Sequence, residues 1–535
     1  MGENSSLQKV ESERQNAVSA LKQAYSQEVA LPVGEGPRIK VSHAVSTIAS
    51  IYEKVRQAME YNEPHLFRRA SMERVLSRRL RGDSNTSLVA EGLLKELIRA
   101  RYLQNDFYPE STIADITRIL EKYRQILQIC EIRSTNDDFS FIVRLASSEI
   151  EEFFTLPNRD DALAQLMLVN IRKAIIVPDP QLDERYALIQ LQLAIYRNLL
   201  KLDRAMIEFN LFELFYPDWK SKGGEHVQEV AANLPRVRMA IAKLFDYPLA
   251  GSISALVRHY TSPFALLRDA LDRVGVKVLE DKMVLSQEIS QSYSRKIAKE
   301  RERLATTTTR ALIYIFLTKA VLSFSFELPS EFLIYGGLRT FPFIINFIFP
   351  PFLLFLLTLS LGLPGRENEE RVVAAAKEAV FSSNGEGRGV FTEQNRLEVK
   401  SRSGGLAFAL FLVYFLAFVI IFGVVSLGLS RFGFTPFAVV LFLFYTSIVT
   451  YFGLRVRESS RDLIMVGGKE TVTSVVIDFI ALPFLRAGSI ISAGLSRFNV
   501  FVLIATLLVE APFQSILEGL EEWISFAREK KEELY

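Results

Sequence analysis

The sequence predicts an all-α chain in two parts: a cytoplasmic helical N-terminal domain, then a polytopic transmembrane helical bundle of about six spans. Three observations lead there. Charged residues recur at helical intervals up to Arg310, and apolar runs rich in Phe, Leu, Ile and Val follow it. Alternating, strand-like runs are hard to find in the first part. Lys and Arg crowd one set of loops between the apolar runs and are sparse in the other.

In order, residues 1–37 form a polar N-terminal segment, 38–282 a soluble all-α domain and 283–310 a basic juxtamembrane helix. The bundle occupies 311–517, with cytoplasmic loops at 364–405 and 455–470, and a charged tail runs over 518–535. The polar start MGENSSLQKVESERQ lacks the apolar core of about 7–15 residues that a secretory signal needs, so the first domain is expected to stay in the cytoplasm.

Within the soluble part, turn-forming residues at Pro32–Pro37, Asn62–Pro64, Pro157–Asp161 and Lys220–Gly224 separate segments of helical period. Ser42–Tyr61, Asn85–Leu103, Ser111–Ile132 and Asp183–Phe215 each place apolar residues three and four apart, which suits a bundle or a stack of helix pairs. The densest basic run is Leu66–Gly82, with Arg68, Arg69, Arg74, Arg78, Arg79 and Arg81. At 100° per residue these arginines fall on two arcs with Leu66, Leu76 and Leu80 between them, so a core-facing helix with charged flanks is expected there in preference to a nucleic-acid face.

Four stretches supply the roughly 20 apolar residues that a ~30 Å hydrocarbon layer requires. They are Ala311–Leu328, Phe341–Leu363, Leu406–Leu429 and Phe434–Leu454, and Thr471–Leu485 and Phe498–Leu517 are weaker ones interrupted by Asp478 and Glu510. With the N-terminus inside, the inner flanks collect twenty Lys and Arg, against only Arg339, Arg431, Arg486 and Arg497 outside. Both termini are therefore expected in the cytoplasm of a plasma- or inner-membrane-type protein. Arg295, Lys296, Lys299, Arg301, Arg303 and Arg310 lead directly into the first span, where they are expected to meet anionic lipid headgroups. In the long inner loop, Val390-Phe391 and Leu397–Val399 suggest a small hairpin around Gln394-Asn395.

Catalytic signatures are absent. The chain has no GxxxxGK[ST], HExxH or GxSxG, and its net charge of +2 gives no general pull toward nucleic acid. Cys130 is the only cysteine and the four histidines (His43, His65, His226, His259) do not sit at ligand spacing, so no disulfide, metal or cofactor is expected. What stands out is charge inside apolar segments: Lys319, Asp478 and Glu510 form the candidate intramembrane polar site, while Glu327 and Arg486 lie close enough to segment ends to be interfacial. Pro350-Pro351, Pro483 and Pro512 are expected to break their helices.

Two functions follow as expectations. The first is an integral membrane protein, not an enzyme, whose cytoplasmic helical domain binds a protein partner or scaffolds an assembly. The alternative is a secondary transporter or channel whose intramembrane carboxylates line a proton or cation pathway.

Overall fold

The computed structural model describes residues 2–26, 36–41, 64–82, 85–132, 136–155, 157–172, 174–176, 183–359, 364–381, 389–391, 395–396, 404–460, 465 and 472–497. These residues are all-α apart from two-residue extended stretches at Ile175–Ile176 and Asn395–Arg396. They fall into two compact units divided between Arg258 and His259.

The first unit contains α1 (Gly2–Ser26), α2 (Pro64–Gly82), α3 (Thr86–Arg99), α4 (Ser111–Ile129), α5 (Asp137–Phe153), α6 (Pro157–Ile171), α7 (Glu184–Asn198), α8 (Arg204–Phe215), α9 (Trp219–Phe245) and α10 (Ala250–His259). The expected helix Ser42–Tyr61 lies outside the described residues. The N-terminal segment, polar in sequence, is helical here, because Ala17 and Leu21 give α1 one apolar strip that it buries against α6. Side-chain caps fix several starts: Asn85 accepts from Ser87 N at 2.9 Å, and Asp203 from Met206 N at 3.0 Å. The Asp203 cap also explains why Asp183–Phe215 is two helices: the chain turns at Lys201, whose φ of 56° no continuing helix tolerates. The break expected at Lys220–Gly224 is a kink inside α9, where Lys222 (φ −123°, ψ 21°) leaves helical geometry and joins two helical stretches.

Four arginines of the basic run on α2 meet carboxylates from beyond that helix, while Arg81 lies over the Phe139 ring. Arg68 grips Glu151 with two hydrogen bonds, Nε to Oε2 at 2.8 Å and Nη2 to Oε1 at 2.5 Å. Arg69 pairs with Asp203 at 2.6 Å, and Arg78 and Arg79 share Glu96. A glycine makes room for the last contact: a Cβ on Gly92 would sit 2.5 Å from the Arg79 guanidinium carbon.

The second unit contains α11 (Thr261–Val274), a short 3-10 turn (Gly275–Leu279), α12 (Lys282–Leu322), a π turn (Ser323–Glu327), α13 (Leu328–Tyr335), α14 (Thr340–Leu359), α15 (Arg366–Phe381), α16 (Gly404–Arg431), α17 (Pro436–Ser460) and α18 (Val472–Arg497). Among the described residues, four helices are long and apolar enough to cross a membrane: the continuous α12–α13, α14, α16 and α17. The bent pair Gly224–Phe245 and Ala250–His259, 60° apart, makes five if it is taken as one span. α18 carries a shorter apolar stretch, Phe479–Ser492, and the expected sixth segment lies outside the described residues.

The exterior of these helices is apolar: Phe316, Phe324, Leu333, Phe411, Val424 and Leu427 are all at least half exposed, a surface that fits lipid better than water. Inside, Ala311, Ile315, Leu354 and Val449 form one core cluster, and Phe434, Ala438, Val439 and Phe442 a second. Helix α14 stays continuous across Pro350-Pro351 where a break was expected. Packing on both sides holds its axis, with Phe349 stacked on Phe442 at 4.8 Å and Leu354 fully buried. Pro483 likewise sits inside α18 without ending it. The expected strand at Val390-Phe391 is a turn instead, its two amides donating to the Glu378 carboxylate while Phe391 packs on Tyr260 and Phe264; Leu397–Val399 lies outside the described residues.

Candidate functional site

The site grows from Lys319, nine residues and so about 13 Å beyond Arg310 along a continuous helix, near the middle of a ~30 Å apolar layer. It is fully buried, as are Ser323, Glu327 and Asn346 to within 1%. Eight residues separate Lys319 from Glu327. At 100° per residue that leaves the two about 80° apart around an α-helix. The π turn over Ser323–Glu327 is wider than an α turn and takes up this offset, which puts both side chains on one face.

Three elements then close the cluster. The Lys319 ammonium donates to Glu327 Oε2 at 3.4 Å and to Asn346 Oδ1 at 3.1 Å, and lies 4.7 Å from the centre of the Tyr445 ring. Ser323 Oγ donates to Glu327 Oε2 at 2.8 Å, and the Asn346 amide donates to Glu327 Oε1 and to Ala438 O. Asn346 is thus the bridge: it accepts from the cation, donates to the anion, and anchors both to α17. One positive and one negative charge share a site whose hydrogen bonds are met by α12, α14 and the π turn, the condition under which a buried pair is tolerable.

One turn beyond Glu327 is a second carboxylate, Glu331, which is 4% exposed. Its Oε1 accepts from Thr435 Oγ1 at 2.8 Å, while Oε2 has no hydrogen-bond partner among the described residues. Thr435 also accepts from Ala438 N at 3.2 Å, so one hydroxyl caps α17 and holds Glu331. Nearby, Arg339 donates to Gly433 O at 2.8 Å, joining the two turns at this end of the helices.

Of the sequence-predicted site residues, Lys319 takes part. Asp478 lies in α18 with its side chain outside the description, and Glu510 lies outside the described residues. Glu327, read from its place near a segment end, is buried in the cluster; Arg486 is exposed. Asn346 was missed because it is uncharged, although an amide in an uninterrupted apolar run is a signal of the same kind. The basic residues Arg295, Lys299, Arg301 and Arg310 are exposed on α12, with Lys296 and Arg303 half-buried and Arg303 paired to Glu300 at 3.4 Å.

The first unit holds a second set of buried charges around Trp219. Its indole donates to Tyr123 OH at 3.1 Å and to Glu149 Oε2 at 2.9 Å, and Lys122 pairs with Glu149 while lying 4.9 Å from the Trp219 ring centre. Beside them Lys220 bridges Glu152 at 2.5 Å and Glu213 at 2.9 Å. Burial pushes the Glu152 carboxyl up to about 7 against the opposing pull of Lys220, and Glu213 adds to the rise. A cavity of about 540 Å³ opens over Lys122, Glu149, Glu152, Phe153 and Lys220.

The class this geometry defines is an all-α chain with several membrane-length apolar helices and a buried, internally neutralised Lys–Glu–Asn cluster between them. No protein family, curated protein or solved structure matches the chain.

Proposed function

We propose that the chain is a multi-pass integral membrane protein, with both termini in the cytoplasm, that holds a helical interaction or scaffold domain at the membrane and performs no catalysis. The observation that carries this reading is the closure of the intramembrane charges on one another: Lys319, Glu327 and Asn346, all within 1% of full burial, join the π turn to α14 and α17. Their geometry suits a lock between helices. The chain's interaction surface then belongs to the first unit, and the exposed basic residues Arg295 to Arg310 belong against anionic headgroups, each contributing about 1 kcal/mol near the surface. Full-length chain crosslinked in native membranes, with its crosslinked peptides identified by mass spectrometry, is expected to yield one partner through residues of the first unit. Crosslinks confined to the apolar helices would count against it.

A second reading, a transporter or channel, draws on two observations: a π turn within a span, a feature frequent at functional sites, and the unpartnered Oε2 of Glu331. Proton or cation flux into proteoliposomes that is lost in Glu331→Gln would favour it over the scaffold.

A further inference from the structure

A second cavity in the first unit, about 530 Å³, is lined by three arginines from three helices: Arg144 on α5, Arg204 on α8 and Arg238 on α9. Its size falls in the range of small-molecule sites. Each arginine spends only one edge on the protein. Arg144 Nε donates to Glu208 Oε2 at 2.7 Å and Arg204 Nε to Glu208 Oε1 at 2.8 Å, so one buried carboxylate serves two guanidinium groups. Arg238 meets Asp138 through Nε at 2.9 Å. The terminal nitrogens of all three make no hydrogen bond among the described residues.

A fourth arginine sharpens the imbalance. Arg197 lies 5.2 Å from the centre of the Phe245 ring and Arg204 5.0 Å from the same ring. Arg197 has no carboxylate partner among the described residues, and burial together with Arg204 pushes its guanidinium below its usual value. Three arginines thus line the cavity with Glu208 and Asp137, and Arg197 and Arg204 share one aromatic ring beside it. Phe141 and the largely exposed Met239 add an apolar rim.

We propose that this cavity binds an oxyanion ligand carrying a phosphate group, free or as a small ester. The guanidinium fork matches phosphate and carboxylate alike, but three forks with free terminal nitrogens offer more donors than the two oxygens of a carboxylate can accept. The inference stands apart from the scaffold reading, since phosphate binding by the chain alone requires no partner.

The test uses the full-length chain in detergent micelles in low-chloride buffer, with inorganic phosphate, glycerol phosphate and glutarate as probes. Phosphate is expected to protect Arg144, Arg204 and Arg238 of the unaltered chain from phenylglyoxal, read peptide by peptide by mass spectrometry, while the exposed Arg366 is modified at an unchanged rate. By calorimetry, Arg204→Gln and Arg238→Gln should each weaken phosphate binding about tenfold or more, the loss of a charge-assisted hydrogen bond. Tighter binding of glycerol phosphate than of phosphate assigns the ester and the reverse the free ion, both within the proposal. Absence of protection at the three arginines, tighter binding of glutarate, or unchanged affinity in both variants would overturn it; the protection readout needs no variant to fold.

Discussion

Replacing Lys319 with Met removes the cation from a fully buried pair and leaves the Glu327 carboxylate with its hydrogen bonds from Ser323 and Asn346 but no counter-charge. Breaking a buried pair from one side costs about 3–5 kcal/mol, because the remaining charge cannot reach water. Glu327→Gln should cost a similar amount, since it leaves the ammonium only the Asn346 carbonyl and the Tyr445 ring. The double variant carries no net buried charge and keeps nearly the same volume, so it should recover most of the loss and lie within about 1–2 kcal/mol of the original chain. Reversible unfolding in mixed micelles under increasing SDS, followed by helicity, measures all four corners of the cycle. Additive losses, or single variants costing under about 1 kcal/mol, would refute the lock.

Two further outcomes follow from particular contacts. Folded chain holds a proton on Glu152 up to about pH 7, while unfolded chain releases it near 4.5. Stability from this group is therefore fully present below the lower value and lost as pH rises through the upper one, by about 3 kcal/mol at most. Glu152→Gln should flatten the pH 5 to 8 stability profile in chemical denaturation and exceed the unaltered chain at pH 8; a parallel profile would remove Glu152 as the cause. In the second unit, a Cβ on Gly488 would lie 2.2 Å from Ser447 O and 2.6 Å from Tyr451 Cβ. Gly488→Leu should hence separate α18 from α17 at a cost of about 1–3 kcal/mol or more in the SDS assay, and full tolerance would mean that the helices are not so close.

The apolar helices were legible because spanning imposes a length and a composition that, among the described residues of the first unit, only the bent pair Gly224–Phe245 and Ala250–His259, taken together, approaches. Expected starts at Phe341, Leu406 and Phe434 fall within two residues of α14, α16 and α17. The basic helix expected over 283–310 begins at Lys282 and runs unbroken into the first apolar stretch as α12. Lys319 announced itself by its charge. Glu327 was visible by its charge too, but its pairing with Lys319 eight residues away runs through a π turn that the sequence did not announce. In the first unit, Arg68, Arg69, Arg78 and Arg79 of the basic run on α2 proved to be paired, whereas Arg144, Arg204 and Arg238 around the 530 Å³ cavity are scattered in sequence and gather only in the fold. Turn residues misled where tertiary contacts outweigh them, as at Pro350-Pro351, whereas the break expected at Lys220–Gly224 is a kink at Lys222.

The central claim is that the first unit and the turn after α13 lie on opposite sides of a bilayer. In a Cys130→Ser background, Leu338→Cys and Leu88→Cys each place one thiol at an exposed position, the first at that turn and the second on α3. A membrane-impermeant maleimide applied to intact cells should label Leu338→Cys at once and Leu88→Cys only after the membrane is opened. Labelling of Leu88→Cys in intact cells, or protection of Leu338→Cys until lysis, would contradict the topology and the cytoplasmic role of the first unit with it.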